Sequence, residues 1–170
     1  HRFKEVRAGF ALREVPFDVR KSTVALFMAE ALYRLVRECE PNATLFDFVW
    51  SSVGALDAIE RGVANFHLWF LVHLCRLLGF QPGNAYTPES WFDIREGEYV
   101  PARPPHTLFL TRECARLLDE LLHSDVRRLE QIALSHTERT EFLNAMLVYL
   151  GYHLDAVSAV QSVRILKEVF

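Results

Sequence analysis

A chain of 170 residues with 51% hydrophobic residues, seven glycines and seven prolines is long enough for one domain that buries roughly 70% of its unfolded surface, and too apolar to be disordered. The formal charge of −3 excludes a uniformly basic nucleic-acid-binding surface, although residues 1–21 carry six Lys/Arg against three acids and the remainder a balance of −6. Three dispersed cysteines, Cys39, Cys75 and Cys114, exclude a disulfide framework or zinc ribbon and point to a reducing, intracellular compartment. No signal peptide, transit peptide or lipidation motif is visible, and the start at His1 reads as an internal point of a longer protein.

In chain order, His1–Val15 holds only scattered apolar anchors, and its opening reads as the last strand of something upstream. Pro16 and Asp18 mark a turn. From Thr23 to about Glu38, Val24, Phe27, Met28, Ala31, Leu32 and Leu35 recur at helical spacing, with Ser22 or Thr23 as the expected cap and Glu30–Arg34 as an i,i+4 pair. Asn42 caps a second helix whose apolar face runs from Leu45 to Ile59, with Gly62 expected to close it. Val63–Phe80 is apolar almost all round, which predicts a helix wrapped by others. A bilayer-spanning helix needs about 20 uninterrupted apolar residues, and this shorter stretch carries Asn65, His67, His73 and Arg76. Its Leu-Leu-Gly-Phe ending followed by Pro82 is a stop signal. Trp91–Ile94 and Glu98–Val100 flank Gly97 as a β-hairpin that Trp91, Phe92 and Tyr99 would anchor on the helices. Thr111, Ser124 and Thr137 are expected to cap three further helices, and Ser162–Phe170 a last one. The fold class expected is all-α, a compact bundle of six to seven helices with one small β-hairpin insertion at about 91–100.

Signals for chemistry are weak. His67 and His73 are six apart, on different helix faces, no H-E-x-x-H occurs, and His123, His136 and His153 fall near helix ends, so no metal is expected. Cys75 is set in apolar sequence, and only Cys114, in a first helical turn, is placed for activation by a helix dipole; no partner base is evident. No phosphate-cradling glycine loop exists. Neither an enzyme nor a cofactor is expected. What stands out is Arg34, Arg37 and Arg76 projecting from apolar helices. The bland reading is rim charges with buried stems. The functional one is a groove, apolar at its base and edged by guanidinium groups, suited to a peptide ending in hydrophobic residues and a carboxylate.

The run from Phe27 to Asp57 (FMAEALYRLVRECEPNATLFDFVWSSVGALD), followed by NFHLWFLVHLCRLLGFQP (Asn65–Pro82), resembles the helical C-terminal part of the RecO recombination-mediator family. Glu30, Pro41, Leu45, Phe46, Asp47, Phe66, Leu78, Gly79, Phe80 and Pro82 carry the pattern, FDIREGEYV is similar to the family's insert, and QSVRIL resembles its closing helix. HRFKEVR and PFDVRKS resemble the Bacteroides-type members. Many members bind zinc through four cysteines around the insert; Phe80–Leu110 contains none, so no zinc is expected.

The resemblance implies a non-enzymatic mediator of homologous recombination in the RecF pathway. Such a protein binds single-stranded-DNA-binding protein and DNA, anneals strands and, with RecR, assists RecA loading, in the cytoplasm at the nucleoid and without a membrane. It implies residues 1–20 as linker and remnant of an upstream OB-fold that makes most single- and double-stranded DNA contacts, and residues 21–170 as the helical domain. That domain would dock the acidic, apolar C-terminal tail of single-stranded-DNA-binding protein, with Lys21, Arg34 and Arg76 as the charged edge and Phe66 and Phe70 as the apolar floor. The alternative is a helical protein-interaction adaptor whose likeness to the family is of fold only.

Overall fold

Among residues 9, 11–36, 42–154 and 162–170, which the computed structural model describes, there are six α-helices, one 3-10 helix and a small three-stranded sheet. Helix α1 (Val19–Leu35) begins a turn earlier than the apolar spacing predicts. Its cap is Asp18, whose carboxylate accepts from the N–H groups of Arg20 and Lys21. The expected caps, Ser22 and Thr23, turn their hydroxyls back onto carbonyls of Val15, Asp18 and Val19. The Glu30–Arg34 pair forms, Nε to Oε1 at 3.0 Å. Helix α2 (Ala43–Ala58) is capped by Asn42 as expected, but ends at Ile59 rather than Gly62. Gly62 takes a φ of 79° as the N-cap of α3 (Val63–Leu77), and a Cβ there would lie 2.7 Å from the backbone nitrogen of Glu130. Pro41 and the cysteine at 39 lie outside the described residues.

Helix α3 buries 11 of its 15 residues and packs on α1, on α2, on α4 (Arg112–His123), on α5 (His136–His153) and on the 3-10 helix Val126–Gln131. Two of its polar exceptions, Asn65 and His73, are staples, together with Trp69. Asn65 donates to the carbonyls of Leu129 and Ile132, Trp69 to that of Ser124, and His73 Nε2 bonds that of Leu121. The helix closes as its sequence predicts: Gly79 has a φ of 89°, its N–H donates to the Arg76 carbonyl, and the Phe80 N–H donates to that of Cys75. No described helix is long and apolar enough to cross a membrane.

The insert is a hairpin plus one strand. β1 (Trp91–Asp93) pairs antiparallel with β2 (Glu98–Val100) on one side and with β3 (Phe109–Leu110) on the other. The third strand, two residues long, is too short to show alternation in the sequence. Phe92, Tyr99 and Leu110 face inward, and the Phe92 ring meets Tyr149 of α5 edge-on at 5.1 Å. Trp91 lies on the opposite face against Phe109, so the hairpin is anchored by two of its three expected aromatics. His153 fixes it further, Nε2 to the Ile94 carbonyl at 2.7 Å.

Later caps differ in detail. Thr111 caps α4 as expected. Asp125, not Ser124, caps the 3-10 helix, and Ser124 closes α4 instead. Ser135, not Thr137, caps α5, forming a reciprocal capping box with Glu138. Helix α6 (Ser162–Val169) returns to α1, where Glu30 Oε2 accepts from the Ser162 N–H at 2.7 Å.

Candidate functional site: a cleft at the end of the central helix

The five residues named from the sequence do not meet at one place. Lys21 is buried, and its ammonium donates to the Asp57 carbonyl at 2.7 Å, closing the end of α2. Arg34 is held by Glu30. Phe66 and Phe70 are both 0% exposed: Phe66 packs on Trp69, and Phe70 stacks on Phe48 at 5.3 Å. α3 is surrounded at those turns, so both side chains lie in the core and not at a surface. Only Arg76, in the last turn of α3, emerges on a surface, and its side chain makes no ion pair or hydrogen bond among the described residues.

Arg76 stands beside a cleft of about 410 Å³ lined by Pro82, Asn84, Tyr86, Tyr99, Asp119, Leu122 and His123, among others. The stop signal of α3 makes this place. Once Gly79 and Phe80 turn the chain, residues 81–86 run alongside β2: the Gly83 N–H donates to the Gly97 carbonyl at 2.8 Å and the Tyr99 N–H donates to that of Gly83 at 3.0 Å. Asn84 donates to the Glu98 carboxylate and the Tyr99 carbonyl. Tyr86 meets Tyr99 edge-on at 5.4 Å. The last turn of α4 forms the other wall, where His123 Nδ1 lies 2.8 Å from the Asp119 carbonyl and 3.4 Å from its carboxylate. Burial pushes the Tyr99 phenol upward, with Asp119 next in effect, so the hydroxyl stays protonated and is a donor. Burial also lowers His73, below Arg76, helped by the nearby charges of Arg76 and His123.

His123 is shared with an adjoining, more polar cavity of about 620 Å³ that also holds Arg127, paired with Asp125, and Arg128. A larger cavity, about 810 Å³ between α1 and α6, presents Glu30, Glu168 and an Arg164 that pairs with Glu168. Its charge does not suit an anionic ligand.

Neither described thiol is set up as a nucleophile. Burial raises the Cys75 thiol to about 12 and also raises Cys114, so the helix dipole does not activate the latter. Among the described residues no group of three or more His, Cys, Asp or Glu is placed to hold a metal ion. Tyr86, Tyr99, Leu122 and His123 were not legible as a site, because they come from three separate segments. The one signal was the change of composition after Pro82.

Fold and cleft together define a helix-bundle domain with a small sheet and a mixed polar and apolar cleft edged by Arg76. The family "Recombination protein O C terminal" matches residues 16–159. The chain is 34% identical to the DNA repair protein RecO of Phocaeicola vulgatus, a match covering 100% of this chain and 71% of that protein. It is 32% identical to the RecO of Flavobacterium psychrophilum (99% and 70%) and 30% identical to that of Porphyromonas gingivalis (100% and 71%). No solved structure matches the chain at a significant level. The chain belongs to the RecO family of DNA repair and recombination proteins. Because the likeness is one of sequence along the whole chain, an adaptor reading based on likeness of fold alone loses its ground.

Proposed function

We propose that this chain is the helical, partner-docking part of a non-enzymatic recombination mediator, working at the nucleoid in the cytoplasm. It binds single-stranded-DNA-binding protein, works with RecR, and helps anneal strands and load RecA. Residues 21–170 are the docking domain, and residues 1–20 lead to an OB-fold that makes most of the contacts to single- and double-stranded DNA. What supports the docking role is the cleft at the end of α3, where a guanidinium with no partner among the described residues stands with Tyr86 and Leu122. An acidic peptide with an apolar, carboxylate-bearing end matches it. Arg76 meets the carboxylate, Tyr86 and Leu122 bury the terminal side chain, and Arg127 and Arg128 lie alongside for the preceding acids. In this reading Lys21, Arg34, Phe66 and Phe70 support the groove from within the bundle rather than touching the tail.

The test is fluorescence anisotropy with a labelled tail peptide. Removing its terminal Phe should abolish binding, and Arg76→Ala should weaken it about tenfold or more, the worth of a charge-assisted hydrogen bond. Equal binding of full and truncated peptides would remove the groove from consideration.

A further inference from the structure

Where α3, α5 and α6 meet, a cavity of about 10 Å³ is bordered by His67, Arg139, Thr140, Lys167 and Phe170, among others. Two polar atoms of this wall are shielded from solvent and have no hydrogen-bond partner among the described residues: His67 Nδ1 and Arg139 Nε. Both side chains are held at this spot by Phe170. Its ring stacks on the His67 imidazole with centroids 5.9 Å apart, and its carbonyl accepts from Arg139 Nη2 at 2.8 Å. Arg139 Nη1 donates to the Leu134 carbonyl at 2.6 Å, so the guanidinium plane is fixed through two of its three nitrogens. The third nitrogen and the imidazole Nδ1 do not bond each other. Native proteins rarely keep a buried donor and a buried acceptor unpaired in one cavity. A space of this size is that of a single water molecule.

We propose that this cavity is a binding site for one ordered water, which bridges Arg139 Nε to His67 Nδ1. The water oxygen accepts from the Arg139 Nε–H, and one of its O–H groups donates to the imidazole. The two protein groups require a ligand of this kind. A guanidinium Nε–H is a donor only, whereas a neutral imidazole donates at one nitrogen and accepts at the other. Water is the smallest group that accepts from the first and donates to the second. A monatomic anion can only accept, and would need the imidazole to carry its proton on Nδ1. The bridge therefore also sets the ring: His67 carries its proton on Nε2. It ties α3 to α5 at the place where Arg139 already holds the residue that follows α6. The site lies inside the bundle, away from the cleft at Arg76, and does not depend on the docking role proposed above.

The experiment is NMR spectroscopy of the 15N-labelled chain at neutral pH. Nitrogen shifts and couplings of His67 should show a protonated Nε2 and an unprotonated Nδ1. Water-selective NOE and ROE spectra should show a cross-peak between the Arg139 Nε–H and a long-lived water. In the His67→Phe variant, which removes the acceptor, that cross-peak should be lost while cross-peaks between water and other interior protons persist. A protonated Nδ1, an Arg139 Nε–H without a water cross-peak, or a direct hydrogen-bond coupling between the two nitrogens overturns the bridge. An Nε–H signal that moves on addition of chloride would name an anion as the ligand and overturns it too. The spectra of the unsubstituted chain decide the question even where the variant does not fold.

Discussion

His67 sits in the interior of α3 with its ring edge-on to Phe27 and stacked on Phe170, both centroids at 5.9 Å. Burial, and secondarily the charge of Arg139, hold its imidazole down at about 3. Its Nδ1 and the Nε of Arg139 both lack partners, and both residues border one small cavity. The sign of the consequence is fixed. Between about pH 6.5 and 3 the unfolded chain takes up a proton at this residue that the native chain refuses, so stability is whole above pH 6.5 and declines as pH falls. The local slope approaches about 1.4 kcal/mol per pH unit. His67→Phe should flatten the pH dependence of the urea midpoint between pH 7 and 4.5. Fitting a slightly larger ring shifts the level by about 1–3 kcal/mol but not the slope. Parallel curves for the two proteins would mean that His67 does not set the acid limb.

At the scale of elements, the residue that joins α1, α2 and the turn before them is Asp57. Its carboxylate accepts from the consecutive backbone N–H groups of Arg13, Glu14 and Val15 at 2.9–3.1 Å, while its carbonyl accepts from Lys21 of α1. Successive amides of this kind form an anion-holding concavity, and those of Val15 and Arg13 pull the carboxyl below its ordinary range. Asp57→Ala should destabilise the chain by about 2 kcal/mol, as for charge-assisted bonds, measured by urea unfolding at pH 7. The difference from the parent should narrow as acid protonates the carboxylate, since its contribution is present above the usual carboxylate range and is lost below it.

The same scale separates what could be read in advance. An all-round apolar run, a Leu-Leu-Gly-Phe stop and a turn glycine at 97 are local signals, so α3, its closure and the hairpin were legible. Caps were misplaced wherever two cap-capable residues fall within a few positions, as with Asp18 against Ser22, Asp125 against Ser124 and Ser135 against Thr137. A helix's first turn often lacks buried residues, so apolar spacing starts late. The floor of the groove was illegible for a related reason. Periodicity tells an inner from an outer face only when one face is polar, and α3 has no polar face until Arg76.

For the whole molecule, both ligands proposed for this family member are anionic, an acidic tail and single-stranded DNA, so the arrangement of cations has to sort them. The chain totals −3, yet residues 1–21 stand at +3 and the rest at −6. A −6 body repels a polyanion, and release of counterions from phosphates needs clustered cations. The body's cations at this end, Arg76 on the cleft and Arg127 and Arg128 on the adjoining, more polar cavity, are instead few and local, which suits a short peptide end. Neutralising Arg2, Lys4 and Arg7 to Gln should therefore lower affinity for single-stranded DNA and reduce the slope of log K against log salt by up to about 2, at about 0.7 per phosphate contact. Binding of the tail peptide should be unchanged. Arg127→Ala with Arg128→Ala should do the opposite, weakening the peptide and its salt dependence while leaving DNA binding as it was. Measuring both ligands across a salt series for the two variants decides the matter. If both variants lose the two ligands together, one surface serves both, and the division between an N-terminal nucleic-acid end and a peptide-docking bundle is wrong.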